Sequence, residues 1–495
     1  MKKKNIFIVL LCSICLFSCQ KWLDIQPQSE VEKDLLFTTE DGFKEALLGI
    51  YTRCAGGDLY GKELTIGTPE VLVQNYTIPN NDPLNYQKTA RFLYDDGGFK
   101  DRKDNIWKGL YHGIVNANLL LAEIDGKKNL FVGDNYALIK GEALALRAFL
   151  HFDALRLFAP APIVNAQADA IPYVTKYSNK TTPLSKVSVV LDSVIADLKI
   201  AKDLLKIDPI RTASYVVGYP TVRDTLANSE LSNSSLFLQN RRHRLNYYAV
   251  CGALARVYLY KGDKPNALAN ALEVIASKKF PWTNNTDFQS VKEDKKDRIL
   301  YKELLFAWYI PGMNREYNQE WFSTGRMNLD KEEGRTIYEV GGNGGGDLRY
   351  TQWFGSVSVG TTALSSLVKY NRNTFSDDFE ANLHYLMAPA IRLSELYYIA
   401  AECNYEGNPT LAAEYLNQVR IQRGIGEPAD VSTATKFRTE LLKEYRKEMY
   451  AEGQLFYAYK RLNAPIIGEK GTVIPANQKI FVWPLPSDEI TYGQR

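Results

Sequence analysis

The chain has 495 residues, enough to bury a large core, and 45% of them are hydrophobic. Its 60 basic and 57 acidic residues nearly cancel. Three of the bases, Lys2, Lys3 and Lys4, stand ahead of an apolar N-terminal run, and without that segment the charge is even, so no net basic charge argues for a nucleic-acid partner.

The first expected element is an export signal over residues 1–18. Ile6 to Phe17 is an almost unbroken apolar run behind the lysines. About a dozen residues suit a signal h-region and fall short of the roughly 20 that span a bilayer as a helix. No comparable run follows. Leu16-Phe17-Ser18-Cys19 reads as a lipobox, with a small residue ahead of the cysteine, so Cys19 is the expected lipid-bearing first residue of the mature chain. Phe17 is bulkier than the usual residue at its position. Cys12 and Cys15 fall inside the signal. Cys54, Cys251 and Cys403 lie in apolar, helix-like context, where a free thiol acts as a small hydrophobe and no disulfide framework is expected.

Beyond the signal, helical periodicity dominates. Helices are expected at Glu40–Tyr51, Asn105–Ile124, Tyr136–Phe158, Ser185–Leu205, Arg244–Ser277, Ile391–Arg423 (interrupted) and Thr433–Arg461. Thr39 is the expected N-cap of the first, with Glu40 and Asp41 in its first turn. In the third, Leu144, Ala148, Phe152 and Leu155 share one stripe. Ala255, Gly262 and Ala267 have the same spacing as Ala400, Gly407 and Ala412. Each set predicts a helix, a glycine-containing turn and a second helix, with small residues letting the pair approach closely as in tetratricopeptide repeats. The two sets lie far apart for a continuous solenoid. The predicted fold class is therefore mostly α: tetratricopeptide-like helix pairs packed into a single body, with long irregular loop insertions and little β.

Three stretches lack helical period: Asp58–Asp104, Asp208–Asn240 and Phe280–Glu380. The last is rich in Asn, Gly and aromatics, with a short strand expected at Leu304–Trp308 and a loop at Gly341–Gly346. The expected organisation is one body over 19–495, in an N-terminal part (19–240) and a C-terminal part (241–495) that carries the 280–380 insertion. Long insertions on a helical scaffold are a common way to build a binding surface.

Catalytic signals are weak. Glu448 and Glu452 are four residues apart, and paired carboxylates serve glycosidases. Arg446, Lys447 and Arg461 nearby favour structural ion pairs instead, as do Glu142 with Arg147 and Arg392 with Glu395 and Glu402. The four histidines are dispersed, and Asp95, Asp96, Asp101 and Asp104 lack EF-hand spacing. No catalytic residue, metal ligand or cofactor is expected. The aromatics are the stronger signal, because flat rings stack on the C–H faces of sugars while polar neighbours bond the hydroxyls. Tyr76, Tyr86, Tyr317 and Trp321, flanked by Asn and Gln, are the expected ligand-binding residues, with Trp282, Tyr350 and Trp353 next in line.

Several segments in register resemble one family. They are Cys19-Gln20-Lys21-Trp22-Leu23-Asp24-Ile25-Gln26-Pro27, Ile106-Trp107 through Asn116-Ala117-Asn118, and Glu142 to Phe149 running on to Phe158-Ala159-Pro160. Further on come Ile391 to Tyr397 before Ala400-Ala401-Glu402, Leu416 to Arg420 with Arg423-Gly424, Glu444 to Gly453, and Pro484-Leu485-Pro486. Together they resemble the SusD/RagB nutrient-uptake lipoproteins; Tyr457 and Tyr459 stand where that family often has Trp or Asp. The resemblance implies a lipid-anchored protein on the outer face of the outer membrane. It also implies capture of oligosaccharides, or in some members peptides, and delivery to a TonB-dependent transporter of the SusC type. A helical envelope scaffold without a small ligand, and a surface glycosidase, are the alternatives.

Overall fold

The structure, a computed structural model, describes residues 35–219, 230–292, 295–371 and 386–493. The expected signal, Cys19 and the segment up to Pro27 lie outside the described residues.

Among the described residues eight helices form the scaffold, and five of them start at a side-chain cap: Thr39, Asp96, Asn246, Asp263 and Asn408. Helix α1 (Glu40–Cys54) starts at Thr39, whose hydroxyl accepts from the Gly42 N–H at 3.1 Å, and buries Phe43, Leu47, Ile50 and Cys54 on one stripe. Helix α2 (Gly97–Ile124) begins earlier than its periodicity suggests. Asp96 caps it through the Gly98 N–H, and two glycines followed by a charged turn hide the apolar stripe there. Helix α3 (Asn135–Phe158) is buried on nearly every face from Leu138 onward, which makes it the central helix. Then come α4 (Val187–Leu204), α5 (Tyr247–Lys261), α6 (Lys264–Ser277), α7 (Leu393–Asn404) and α8 (Pro409–Gln422). No helix among the described residues is long and apolar enough to cross a membrane.

Each of these helices packs on the next in chain order, including α6 on α7. The two repeat-like pairs are thus neighbours in space, and the long insertion between them loops out. The sequence distance that argued against a continuous stack measures only that loop. Ala255, Ala267, Ala400 and Ala412 are all fully buried, as close helix pairing requires. The two turns differ. Gly262 takes φ +89° to end α5, which favours glycine. Gly407 is outside the left-handed region and exposed, and Asn408 caps α8 beside it.

The insertion supplies most of the sheet. Strand β1 (Leu304–Tyr309) covers the expected Leu304–Trp308. Strands β2 (Leu329–Asp330), β3 (Phe354–Val359) and β4 (Thr362–Leu367) form a three-stranded sheet in the order β2-β4-β3. Strand β5 (Met387–Arg392) pairs antiparallel with β1, setting Trp308 opposite Ala388 and Tyr309 opposite Met387. It runs directly into α7, so Ile391 and Arg392 belong to a strand end rather than to a helix.

The expected Thr433–Arg461 helix is two: α9 (Ala434–Glu448) and α10 (Leu455–Leu462). Ala451 at φ +61° and Gly453 at φ +71° break it. A Cβ on Gly453 would lie 2.1 Å from the Leu64 carbonyl oxygen, so only glycine fits against that loop. Glu452 therefore does not share a helix face with Glu448.

A buried charge network ties the C-terminal helices to the insertion. The Glu448 carboxylate accepts from Arg349 at 3.0 Å, Arg392 at 2.5 Å and Arg423 at 2.8 Å. Arg423 also reaches Glu303 at 2.5 Å, Glu444 takes Arg349 and Arg420 at 3.0 and 2.9 Å, and Glu452 takes Lys369 and Arg392 at 2.5 and 2.9 Å. The residues expected in ion pairs are paired, but none of the expected pairings forms. Glu142 pairs with Arg241, Arg147 with Asp197, Glu395 with Arg256 and Glu402 with Arg461. At these positions the counter-ion comes from another element of the bundle, which sequence spacing does not reveal.

Candidate functional site

The four expected ligand-binding rings are buried, between 0 and 4% exposed. Trp321 meets Tyr86 edge-to-face at 5.0 Å and Tyr76 at 6.0 Å, and Tyr317 meets Tyr370 at 4.9 Å. The Tyr76 hydroxyl donates to the Ile66 carbonyl at 2.9 Å and that of Tyr86 to Glu63 at 2.5 Å, while Arg102 covers the Tyr86 ring at 3.9 Å. These rings fasten the segment after α1 to the insertion. Their faces are taken by one another, so none is an open stacking platform. Of the second set, Trp353 is fully buried and donates to the Arg298 carbonyl, and Trp282 and Tyr350 are half-buried against Tyr397 and Tyr338.

An open aromatic groove lies elsewhere, at the C-terminal end of β1. Strand alternation turns Trp308 inward and Tyr309 outward, leaving Tyr309 45% exposed. Trp308 forms the floor, held by a 4.3 Å parallel stack on Tyr60 and an edge contact with Phe149. Lys44, Leu48 and Thr52 of α1 make one wall, and the 236–244 segment makes the other. The cavity is about 440 Å³. His243 lies parallel to Tyr309, with 2° between planes and 6.0 Å between centroids. Burial, with Arg242 and Arg244 beside it, pushes the His243 imidazole down to about 3, so it is neutral at physiological pH.

The polar equipment of this groove is uneven. Arg244 stacks on Phe237 at 4.1 Å and donates through Nη2 to the Phe237 carbonyl, while its Nη1, shut off from solvent, has no hydrogen-bond partner among the described residues. The nearest carboxylate oxygen, on Glu142, is 3.7 Å away. Gln239 and Asn240 add amides and Lys44 an ammonium. An exposed ring with a backing imidazole, neighbouring amides and an ammonium suits a ligand with apolar C–H faces and hydroxyls.

A larger cavity, about 580 Å³, lies between α9, the short helix Lys331–Ile337 and the 464–471 segment. Its middle is Ile337, Leu442, Pro465 and Ile467, and its one aromatic, Tyr459, is buried. It offers no ring face, so size alone does not make it the better sugar site. Glu448 and Glu452 give no glycosidase pair. Burial alone would raise the Glu448 carboxyl, but Arg423, Arg392 and Arg349 override it and hold the group well below the usual carboxylate range, the reverse of what a general acid needs. Asp96 caps α2 and pairs with Lys88, and Asp104 pairs with Lys103. Among the described residues no group of three or more His, Cys, Asp or Glu converges as a metal site.

Sequence reasoning named β1 but not Tyr309 or Arg244. The only available signal was strand parity: counting outward from an inward Trp308 makes Tyr309 the solvent-facing ring.

Known proteins agree with this architecture. Residues 21–217 match a SusD-like family profile described as starch-binding associating with outer membrane, and residues 366–489 match the SusD family profile. Two SusD-like proteins of Formosa agariphila are 20 and 22% identical to the chain; the alignments cover 85 and 98% of it and 82 and 97% of them. Among solved structures, a SusD-like carbohydrate binding protein of Bacteroides vulgatus superposes with a TM-score of 0.70 at 17% identity, over 92% of this chain and 97% of its own. A putative sugar binding protein of the same species gives 0.68 at 21% identity, over 90 and 95%. At those identities the structures speak for the fold, and the two profiles, with full-length relatives, speak for the lineage: the chain belongs to the SusD/RagB family.

Proposed function

We propose that this protein captures oligosaccharides at the outer-membrane surface, in the Tyr309 groove, and passes them on without chemical change. The observation that carries the reading is the outward Tyr309 ring over the Trp308 floor, with Gln239 and Asn240 on the wall beside it. Stacking on the ring and hydroxyl contacts at the walls together suit a sugar better than a purely apolar ligand. The family description, starch-binding associating with outer membrane, supports the same class of ligand.

Delivery and anchoring complete the proposal. Cleavage before Cys19 and acylation of that cysteine would hold the protein in the membrane with its ligand groove facing the exterior. A TonB-dependent transporter of the SusC type would receive the cargo. A carrier that must release what it binds needs only modest affinity, on the order of micromolar to millimolar, or about −8 to −4 kcal/mol.

The test is calorimetry of the parent, Tyr309→Ala and Gln239→Ala against a glycan panel. Saturable binding to at least one glycan, weakened in both variants, is expected. No saturable binding up to millimolar glycan, or equal binding by all three proteins, rejects the site. Separately, Cys19→Ala should leave the membrane fraction; retention after a carbonate wash rejects the lipid anchor. Co-purification of a large β-barrel transporter with the anchored parent is the expected sign of the partner.

A further inference from the structure

A small polar cavity of about 30 Å³ lies where α3, α5, α7 and α10 meet. Its wall includes Arg156, Arg256 and Arg461 but a single carboxylate, Glu395. Most of the guanidinium donors are accounted for. Arg256 gives Nε and Nη2 to Glu395 at 2.7 and 2.6 Å, and Nη2 also to the Ala390 carbonyl at 2.6 Å. Arg461 gives both terminal nitrogens to Glu402 at 2.5 and 2.7 Å. Arg156 bonds Asp153 and, at 3.3 Å, Gln454, and it lies 3.7 Å over the Tyr457 ring.

Three polar atoms of the wall remain. Arg256 Nη1 and the hydroxyls of Tyr260 and Tyr457 are buried and have no hydrogen-bond partner among the described residues, in side chains of residues only 7, 4 and 4% exposed. Buried polar groups in native proteins are almost always partnered, and each left dry costs folding free energy. All three can donate, and a guanidinium nitrogen cannot accept. The three arginines are each matched by one carboxylate, Asp153, Glu395 and Glu402, so the charge of the wall is balanced and what is left over is donors. Three unfilled donors around one small space describe a receptor for a ligand that only accepts. The space holds roughly one or two water-sized particles, which fits a monatomic ion.

We propose that this cavity binds a single halide-sized anion, chloride under ordinary ionic conditions, between Arg256 Nη1 and the Tyr260 and Tyr457 hydroxyls. The ion joins α5 to α10 at a point where no side chain completes the contact. It lies apart from the Tyr309 groove, so the site stands whether or not that groove binds sugar.

The experiment uses the mature protein and two readouts. Crystals grown with sodium bromide should show a bromine anomalous peak in the cavity. Thermal unfolding should occur at least about 1 °C higher in sodium chloride or bromide than in sodium gluconate at equal ionic strength. That difference should vanish in the double variant Tyr260→Phe, Tyr457→Phe, which keeps both rings. Water without bromide in the cavity overturns the proposal. So do equal unfolding temperatures in halide and gluconate, or a halide effect that survives the double variant. If the double variant does not fold, the bromide peak and the salt comparison on the parent decide.

Discussion

Tyr309 and His243 lie with their rings parallel, 2° apart in plane and 6.0 Å between centroids, across the end of β1. The imidazole backs one side of the tyrosine and leaves the rest of a 45% exposed ring to the groove. A ring positioned by its own protein loses little side-chain freedom when a sugar stacks on it. Tyr309→Ala should therefore weaken glycan binding by about 1–2 kcal/mol, roughly 5–30-fold, while Tyr309→Phe retains most of the affinity. Calorimetry checks both, with circular dichroism to confirm the fold. An alanine variant that binds like the parent moves the site elsewhere.

Trp321 should behave in the opposite way. It is 1% exposed and packed between Tyr86 and Tyr76. Trp321→Ala should cost about 3–5 kcal/mol of stability. Denaturant unfolding measures this, and an unchanged midpoint would return Trp321 to the pool of ligand contacts.

The stack of helix pairs makes a steric prediction. Ala255 and Ala400 are fully buried on α5 and α7. Phenylalanine at either should overpack the contact and cost about 1–3 kcal/mol, read as a lower melting temperature. The turn glycines should separate. Gly262→Ala forces a side chain into φ +89° and should destabilise by about 1 kcal/mol. At Gly407 a Cβ would meet nothing within 4 Å, so Gly407→Ala should be neutral or slightly stabilising. Equal effects at the two positions would show that the shared spacing marks one turn type after all.

The scaffold was legible because amphipathic helices write their buried faces locally, as the α1 stripe of Phe43, Leu47, Ile50 and Cys54 does. What stayed hidden was pairing across the chain. Nothing in the sequence says that α6 rests on α7 beyond a long insertion, or that Glu142 meets Arg241 rather than Arg147. The site was hidden for a related reason. A long insertion must build its own small core, and Tyr, Trp, Asn and Gln do that as readily as they bind sugar. Tyr76, Tyr86 and Trp321 lie in that core, whereas Tyr309, one residue past the expected strand, faces the groove.

Acid should loosen α3 before it affects the carboxylate network. His151 is buried in α3, with Nδ1 donating to the Arg147 carbonyl at 2.8 Å and Nε2 accepting from the Val174 N–H at 2.9 Å. The Val174 contact needs the neutral ring, and burial pushes its ionisation down to about 3. A histidine lowered on folding adds stability that is present above its unfolded value near 6.5 and is lost as pH falls toward 3. The expected loss is about 1.4 kcal/mol per pH unit, or about 2 kcal/mol by pH 5. Urea unfolding of the parent and of His151→Gln at pH 7, 6 and 5 measures it as the difference between the two slopes, which removes the shares of His243, Glu70 and Asp297. Parallel slopes for the two proteins contradict the neutral assignment.

Glu448 should prove indispensable to the fold and irrelevant to hydrolysis. It is fully buried and accepts from Arg349, Arg392 and Arg423, each of which reaches a second carboxylate. Glu448→Gln keeps the shape but removes one negative charge from among three guanidiniums in a dry interior. Breaking a buried pair from one side strands the opposite charge, which typically costs about 3–5 kcal/mol. Three guanidiniums lose a carboxylate contact at once, which puts Glu448→Gln at the upper end of that range, and Glu452→Gln, which faces Lys369 and Arg392, below it. Denaturant unfolding of the two variants tests the order. If Glu448→Gln unfolds like the parent and instead abolishes a glycan-hydrolysing activity, the carboxylate is a catalyst and the ion-pair reading is wrong.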